Sequence, residues 1–590
     1  MVNSTVYLPD GQHFTVVPVF AGLLFKSNEL NPHHSPYPVG WSVVLHTEDS
    51  EDASGGGSSS SSDGGSSSPR GGAHTGGVHA FRRPTLQGDS LFISSVNNPS
   101  SSEFKPAASP TRQTAMMLWV SLYWYFQQPP PDMLLPTTAH SSSTPSAGRP
   151  RGEWRIRIKR DGLLRVRNLI PKLERMGLVA TLESSVIANA DGFTDTDDDG
   201  WDHMYVSRSM FWQIPPQLFL FSLQPVGSHG SHGSGSKHHH VTSSGSIGLW
   251  GGFNGILGGG GANGMSSFPG SPTASRPGSP GLLESDATSI TAATANAMSL
   301  SGTPQSPTTS AAGGKPGALA SVPSFPIGPF FSTSHLPTYY PPSPLRYTMT
   351  GNVRHPARPR PPRMGETFYT RYVPSVKQYL SLRVASLSSK PVPYFGPRSM
   401  PPTTTTTMPT YESSSSRSPY PSPETAARLM TMCDDQLMQM WMAIPRVHRF
   451  WGDYSPAFLR TALASRHSFP VIGMWDGVPF GYFEIYWVKE DTLGVHIGAQ
   501  ADDFDRGLHV FIGEEWARGR VPLWLTSIVQ WILCSDYRTM SVCIEPRVDN
   551  ERFIAHLQNA GFNKQREVTF PHKQSWFGRL QRDGWQGPAL

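Results

Sequence analysis

WDGVPFGYFEIYWVKED at residues 475–491 and DFDRGLHVFIGEE at residues 503–515 are the segments that decide the fold of this 590-residue chain. In both, apolar residues alternate with polar or aromatic ones, which is typical of β-strands with two different faces. The Asp-Gly pair at 476–477 predicts a tight turn between two antiparallel strands. An apolar helix pattern and a short buried strand pattern, MSVCIEP at 540–546, follow. This order predicts a mixed α/β sheet.

Composition limits how much of the chain can form a core. Only 37% of the residues are hydrophobic, while Gly (57) and Pro (56) are abundant and lie with Ser and Thr in long tracts. Such tracts cannot bury enough apolar surface to fold. The composition therefore predicts two folded domains separated and interrupted by disordered segments. The predicted parts are an N-terminal domain at 1–225 with insertions at about 53–72 and 129–150, a linker at 226–335, and a C-terminal domain at 336–590 with an insertion at about 388–423.

Charge, hydropathy and cysteine content exclude several classes of protein. The net charge of +5 is mild, and the basic residues form no dense block, so we expect no nucleic-acid partner. No apolar run approaches the ~20 residues that span a bilayer, and the chain does not start like a signal peptide. Three irregularly spaced cysteines predict buried thiols rather than disulfides. We expect a cytoplasmic protein without a membrane partner.

Two stretches resemble metal sites only superficially. DTDDDG at 195–200 starts like a calcium loop, but its twelfth position is Val206, where a bidentate Glu is needed. The histidines at 238–240 lie in a Gly/Ser tract. We therefore expect no metal site.

His509 is the strongest candidate for chemistry, because a histidine on a two-faced strand can act as a base near neutral pH. A structural, hydrogen-bonded histidine is the alternative, and His496 is a weaker rival. Arg518, Gly519 and Arg520 precede an apolar helix, where backbone N–H groups and arginines can receive a phosphate. A plain surface turn is the alternative there.

Two further patterns are open to more than one interpretation. Asp549 or Asn550 is a good N-cap for the last helix, and capping alone would explain either residue. In a strand–helix crossover, however, this position also lies at the edge where α/β proteins bind ligands. The side chains of Tyr482, Glu484 and Tyr486 lie on one face of their strand. This pattern is typical both of a face that binds a zwitterionic amino acid and of a sheet face exposed to solvent.

The C-terminal region resembles the siderophore-biosynthesis acyltransferases of the GNAT superfamily. The matching stretches include QYLSLRVASL (378–387), LMQMWMAIPRVHRFWG (437–452) and EPRVDNERF (545–553), together with the two segments quoted first. They cover about 355–590 apart from the Pro/Thr insertion. MLWVSLYWYF (117–126) is similar to a helix of the degenerate N-terminal GNAT-like half that fungal members carry.

The resemblance implies direct acyl transfer from acyl-CoA to the hydroxylamine nitrogen of N5-hydroxyornithine, which gives a hydroxamate for a ferrichrome-type siderophore. It implies His509 as base or orienting residue and Asp549 as its partner in proton transfer. Acyl-CoA would be a co-substrate, and no cofactor would be bound permanently. The implied binding residues are Arg518, Gly519, Arg520 and Asn550 for the CoA, and Glu484, Tyr486, Trp487 and Lys489 for the acceptor.

The sequence leaves several alternatives. The acceptor could be N6-hydroxylysine, and the chain could instead be a non-catalytic interaction protein on a GNAT scaffold. The resemblance also makes a homodimer plausible and implies that the product passes to a nonribosomal peptide synthetase. The transferred acyl group cannot be read from the sequence.

Overall fold

The computed structural model describes residues 4–20, 22–28, 37–48, 77–97, 110–166, 169–181, 204–220, 345–399 and 420–590. The predicted insertion at 53–72, the linker at 226–335 and the two metal-like stretches lie outside these residues, apart from Met204, Tyr205 and Val206 at the end of the calcium-like loop.

Eight N-terminal strands form one mixed sheet. They are β1 (Ser4–Tyr7), β2 (His13–Val19), β3 (Gly22–Ser27), β4 (Gly40–Glu48), β5 (Val78–Ala80), β6 (Asp89–Asn97), β7 (Arg155–Ile158) and β8 (Tyr205–Ser207). Their order is β1-β2-β3-β4-β6-β7-β8, and β5 pairs with β4. The helices of this part are α1 (Pro110–Tyr125), α2 (Ile170–Arg175) and α3 (Arg208–Trp212).

The C-terminal part holds a small hairpin and a second eight-stranded sheet. The strands are β9 (Tyr347–Thr350), β10 (Val353–Pro356), β11 (Thr367–Val373), β12 (Gln378–Val384), β13 (Ser468–Trp475), β14 (Val478–Trp487), β15 (Arg506–Ile512), β16 (Ser541–Ile544), β17 (Asn563–Phe570) and β18 (Lys573–Gln581). The sheet order is β11-β12-β13-β14-β15-β16-β18-β17. The helices are α4 (Pro423–Met430), α5 (Asp434–Met442), α6 (Pro445–Trp451), α7 (Phe458–Ala464), α8 (Thr492–Ile497), α9 (Val521–Ser535) and α10 (Glu551–Asn559).

The two sheets repeat one arrangement. Each sheet contains one parallel pair of strands, which is β6 with β7 in the first sheet and β15 with β16 in the second. A helix connects the two strands of each pair, α1 in the first sheet and α9 in the second. In both sheets the parallel strands share only two residue pairs. In the N-terminal sheet the 3-10 turn Gly162–Arg165 follows β7, and the Cβ position of Gly162 lies 2.1 Å from the Ile93 carbonyl oxygen. That turn fills the space beside β6. The turn in this space is the structural feature that corresponds to the predicted degeneracy of the N-terminal half.

Alternation along β14 and β15 divides the C-terminal core into two layers. Phe483, Ile485 and Leu508 pack on one face with Trp524 of α9. On the opposite face, Tyr482 and Phe511 pack with Trp441 of α5 and with α6. The period of two therefore places Glu484 and His509 on the α6 face.

Several local predictions are confirmed. The helix-like stretch at 117–126 lies in α1 as far as Tyr125, and Asp476 and Gly477 both have positive φ (49° and 85°) in the turn between β13 and β14. These angles fit the tight turn that the Asp-Gly pair predicts.

The structure differs from the sequence-based expectation at three places. Residues 388–399, part of the insertion expected to be disordered, are ordered, and the Ser399 N–H donates to the Asp476 carboxylate at 3.0 Å. The stretch TAARLMTMCDDQLMQMWMAI at 425–444, whose apolar pattern predicts one helix, is broken into α4 and α5. The break has a cause, because the buried Asp434 carboxylate at the start of α5 receives both terminal nitrogens of Arg383 at 2.6 and 2.8 Å. Residues 129–150, expected to be disordered, form an ordered run of turns. The Leu135 N–H donates to the Pro150 carbonyl at 3.0 Å and holds this run together.

The two halves of the described chain belong to one compact unit. Arg582 donates to the Gln213 side chain at 3.0 Å, and Arg208 donates to the Gln586 carbonyl at 2.9 Å. Trp212 packs against Gly587 and under the guanidinium of Arg371. None of the helices within the described ranges combines the length and apolarity needed to cross a lipid bilayer.

Candidate active site

His509 lies at the centre of the candidate site. It stands on β15 directly opposite Glu484 on β14, so both side chains point to the same face of the sheet. On the other side of β15, pairing with β16 ends at Gly507 and Cys543, and the two strands then separate. Glu545 is the first residue after β16. The side chains of His509 and Glu545 therefore meet where the strands diverge.

Hydrogen bonds connect these side chains into one network. The Nε2 atom of His509 lies 2.7 Å from Oε1 of Glu545, and Nδ1 lies 3.3 Å from Oε2 of Glu484. The Tyr486 hydroxyl donates to the second oxygen of Glu545 at 2.7 Å. The Tyr482 hydroxyl donates to the second oxygen of Glu484 at 2.6 Å. Each carboxylate is thus held by the imidazole and by one tyrosine.

The network fixes the protonation state of the imidazole. Burial alone would lower the pKa of His509, but the Glu545 and Glu484 carboxylates outweigh burial and raise it to about 10. Burial would likewise raise the pKa of Glu545, whereas His509 and the Lys573 ammonium lower it to about 2. At neutral pH His509 is therefore an imidazolium that donates from both nitrogens. Of the two predicted roles of His509, base or orienting residue, this protonation state favours the orienting role, and both stay predictions.

An aromatic wall borders the imidazole on the α6 side. The Trp451 ring at the end of α6 is centred 6.5 Å from the His509 ring and 5.0 Å from Phe511. Tyr482 stacks on Phe511 at 5.3 Å, and Phe458 of α7 packs on Tyr482 at 5.5 Å. These rings shield one side of the ion cluster from water, which strengthens its electrostatic interactions.

The separation of β15 from β16 provides a place for an extended acyl donor. The Val488 N–H donates to the Asp505 carbonyl at 3.0 Å. Because the N–H and C=O groups of successive strand residues point to opposite sides, this bond determines which residues of β15 direct their backbone groups toward β14. Gly507 and His509 turn their backbone groups toward β14, while Leu508 and Val510 turn theirs toward the gap. A pantetheine arm carries amides that can pair along such a strand edge. The backbone therefore fits an acyl-CoA.

The predicted phosphate turn is only partly at the surface. Residues 515–520 form a 3-10 turn before α9, and Arg518 and Gly519 are exposed there. Arg520 is buried, donates to Gln378 at 2.7 Å and lies over the ring of Trp475 at 4.8 Å. Burial lowers the pKa of its guanidinium to about 10. Arg520 thus contributes to the core, and Arg518 and Gly519 stay candidates for the CoA pyrophosphate.

The structure does not bring Asp549 to His509, because Glu484 and Glu545 occupy both ring nitrogens. Asp549 is exposed and instead accepts from Arg547 at 2.6 and 2.8 Å and from Arg449 at 3.2 Å. The role of Asp549 in proton transfer therefore stays a prediction. Asn550 is the N-cap residue of α10 but makes no side-chain capping bond.

The four predicted acceptor residues lie in two places. Glu484 and Tyr486 belong to the network of His509. Trp487 is buried beneath the guanidinium of Arg506 at 4.0 Å, and Lys489 pairs with Asp503 at 2.5 Å. Trp487 and Lys489 thus take part in a separate cluster around β10 and the end of β14.

Glu545 and Lys573 are site residues that the sequence did not reveal. A glutamate directly after a buried strand was the available signal for Glu545. Lys573 starts β18 and donates to the backbone carbonyl of Glu545 at 2.9 Å, and no local pattern marks that contact. Within the described ranges, no group of three or more His, Cys, Asp or Glu residues is suited to hold a metal ion.

Comparison with known proteins agrees with this geometry. Residues 431–570 match the model of the acetyltransferase (GNAT) domain. The N5-hydroxyornithine acetylase sidL of Beauveria bassiana (strain ARSEF 2860) is 48% identical over an alignment 600 residues long, gaps included, which covers 98% of this chain and 100% of that protein.

Two other relatives match over a shorter length. The N(6)-hydroxylysine O-acetyltransferase of Escherichia coli is 33% identical over 37% of this chain, and the match spans 56% of that protein. The N(5)-hydroxyornithine:cis-anhydromevalonyl coenzyme A-N(5)-transacylase SIDF of Beauveria bassiana is 28% identical over 43% of this chain and 52% of its own length. Because the likeness to sidL extends over nearly the whole of both proteins, this chain belongs to the same family of GNAT acyltransferases, enzymes that use acyl-CoA as the acyl donor.

Proposed function

We propose that this acyltransferase moves an acetyl group from acetyl-CoA to the hydroxylamine nitrogen of N5-hydroxyornithine and so forms a hydroxamate for siderophore biosynthesis. The observation that carries the proposal is the Glu484–His509–Glu545 cluster at the point where β15 and β16 diverge. The near full-length likeness to a protein named N5-hydroxyornithine acetylase supports both the acceptor and the acetyl group.

The reaction requires orientation more than it requires a strong base. A hydroxylamine nitrogen is neutral at cellular pH and can attack the thioester carbon directly. The N–H groups of Leu508 and Val510 face the gap and are placed to polarise the thioester carbonyl. As the C–N bond forms, the nitrogen becomes acidic, the C–S bond breaks, and one proton has to pass from nitrogen to the leaving thiolate.

Glu484 is the group that we propose receives this proton. Its side chain is 19% exposed, against 3% for Glu545, so it is the carboxylate that a substrate in the cleft can reach. His509 holds Glu484 in position and stabilises its charged form, and Glu545 in turn fixes His509. Arg518 and Gly519 would hold the pyrophosphate of the CoA at the start of α9.

The remaining parts of the proposal concern context. The three cysteines are unpaired thiols, which fits a reducing compartment such as the cytoplasm. A homodimer and transfer of the product to a nonribosomal peptide synthetase belong to the proposal through the family resemblance alone.

A mass-spectrometric transfer assay tests the function. Purified protein is given acetyl-CoA with N5-hydroxyornithine, and ornithine and N6-hydroxylysine serve as control acceptors. We expect a hydroxamate from N5-hydroxyornithine and a fall in kcat of about 100-fold in Glu484→Gln. Faster turnover of N6-hydroxylysine would reassign the acceptor. Folded protein that acylates none of the three would refute the proposal.

A further inference from the structure

A cationic patch lies at the rim of the candidate site. Arg449 and Arg547 both donate to the exposed Asp549 carboxylate, and both guanidinium groups lie near the Phe450 ring, at 5.5 and 4.4 Å from its centre. Two arginines face one carboxylate, so the patch carries an excess positive charge. We call Arg449 and Arg547 the rim arginines.

Both rim arginines are close in sequence to groups that touch His509. Arg449 is two residues before Trp451, whose ring borders the imidazole. Arg547 is two residues after Glu545, which binds the imidazole directly. The Arg449–Asp549 contact connects the end of α6 with the segment that follows β16. The patch is therefore built from the two chain segments that also supply Trp451 and Glu545 to the surroundings of His509.

The backbone around Arg547 is held in place before any ligand binds. The Val548 N–H donates to the Gln574 carbonyl at 3.0 Å, and the Trp576 N–H donates to the Pro546 carbonyl at 2.8 Å. Two nitrogens of the Arg547 guanidinium donate hydrogen bonds to the Asp549 carboxylate. Such preorganisation lowers the entropy lost when a ligand is bound.

We infer that the rim arginines bind the α-carboxylate of the acceptor amino acid while its hydroxylamine end lies at Glu484 and His509. The inference rests on the proposed function and adds to it the group that recognises the far end of the substrate. Guanidinium groups match the planar geometry of a carboxylate, and a charge-assisted contact gives specificity as well as affinity. In this arrangement Asp549 positions the rim arginines.

The same chemistry could serve a phosphate of CoA, so the test separates the two anions. Steady-state kinetics are measured for Arg547→Gln and Arg449→Gln with N5-hydroxyornithine and with N-hydroxy-1,4-diaminobutane, which is the same acceptor without its carboxylate. The KM for acetyl-CoA is measured in parallel. Arg165→Gln is the matched control, because Arg165 is also an exposed arginine paired with an aspartate, Asp161, at 2.7 Å.

We expect Arg547→Gln to raise the KM for N5-hydroxyornithine about tenfold and the more exposed Arg449→Gln about threefold, with little change in kcat. The KM values for the acceptor without a carboxylate and for acetyl-CoA should stay at the wild-type level. An equal rise for both acceptors, or a rise for acetyl-CoA alone, would overturn the inference. If wild-type protein acylates neither acceptor, the proposed function fails, and calorimetric binding of N5-hydroxyornithine to wild type and Arg547→Gln still decides this inference.

Discussion

At the scale of single residues, Glu545 controls the charge of His509. Removing its charge while keeping its shape, as in Glu545→Gln, removes the main influence that raises the pKa of His509 to about 10. We expect that pKa to fall toward its ordinary value of 6.5 and kcat to fall about 100-fold. An NMR titration of the histidine ring measures the first effect. Glu567→Gln, an exposed glutamate paired with Lys564, is the control, and an unchanged titration of His509 in Glu545→Gln would contradict the assignment.

The same ion pair makes stability depend on pH. The folded pKa of His509 is raised from 6.5 to about 10, so its contribution is complete below pH 6.5 and is lost as pH rises toward 10. The folded pKa of Glu545 is lowered from 4.5 to about 2, so its contribution is complete above pH 4.5 and is lost as pH falls toward 2.

The pair therefore stabilises the fold most between these two ordinary values. We expect the difference in free energy of unfolding between wild type and Glu545→Gln to be larger at about pH 6 than at about pH 9. Urea unfolding of both proteins at the two pH values measures this difference. A difference that is equal or larger at the higher pH would show that His509 is not protonated in the folded state.

His509 could be predicted from sequence and Glu545 could not, for a physical reason. His509 interrupts an alternating apolar strand, which is a local signal. Its partner Glu545 lies 36 positions later, directly after β16, and the contact exists because β15 and β16 separate after two residue pairs. Asp549 is a different case, because the family resemblance and not a local pattern pairs it with His509, and in the structure its carboxylate accepts from two arginines.

At the scale of elements, the site depends on how closely β14 and β15 approach. A Cβ atom placed on Gly507 would lie 2.0 Å from the Tyr486 ring, so the ring can rest on β15 only because residue 507 has no side chain. Gly507→Ala should displace the Tyr486 ring and break the hydrogen bond from its hydroxyl to Glu545. We expect the free energy of unfolding to fall by about 1–3 kcal/mol.

Urea unfolding and kcat together check the effect of Gly507→Ala. Gly584→Ala is the control, because nothing lies within 4 Å of the Cβ position there. Equal stability and activity of the two variants would show that Tyr486 does not need to rest on β15.

Strands and turns were easier to predict than the ends of helices. The Asp-Gly turn and the alternating strands on both sides of it are determined by local chemistry, and the structure confirms them. The break between α4 and α5 depends on Arg383, which lies about 50 residues earlier and forms a buried ion pair with Asp434. A pattern confined to neighbouring residues does not contain such a contact.

At the scale of the whole molecule, the N-terminal half supports the catalytic half. The backbone carbonyl of Trp212 accepts from Gln530 on α9 at 3.4 Å, and its buried ring lies beneath Arg371 of β11 and against Gly587. The helix α9 covers the core behind β15, so a change at Trp212 should reach the site through α9.

We expect Trp212→Ala to lower the free energy of unfolding by about 3–5 kcal/mol, because the substitution opens a cavity between the two halves. Since both halves belong to one compact unit, loss of activity and loss of structure should shift to the same lower urea concentration. Far-UV circular dichroism and the transfer assay, followed across one urea series, measure the two midpoints. Phe20→Ala, at a fully exposed position of the same half, should leave both unchanged. If Trp212→Ala stays active at urea concentrations above the midpoint measured by circular dichroism, the catalytic half is stable without the N-terminal half.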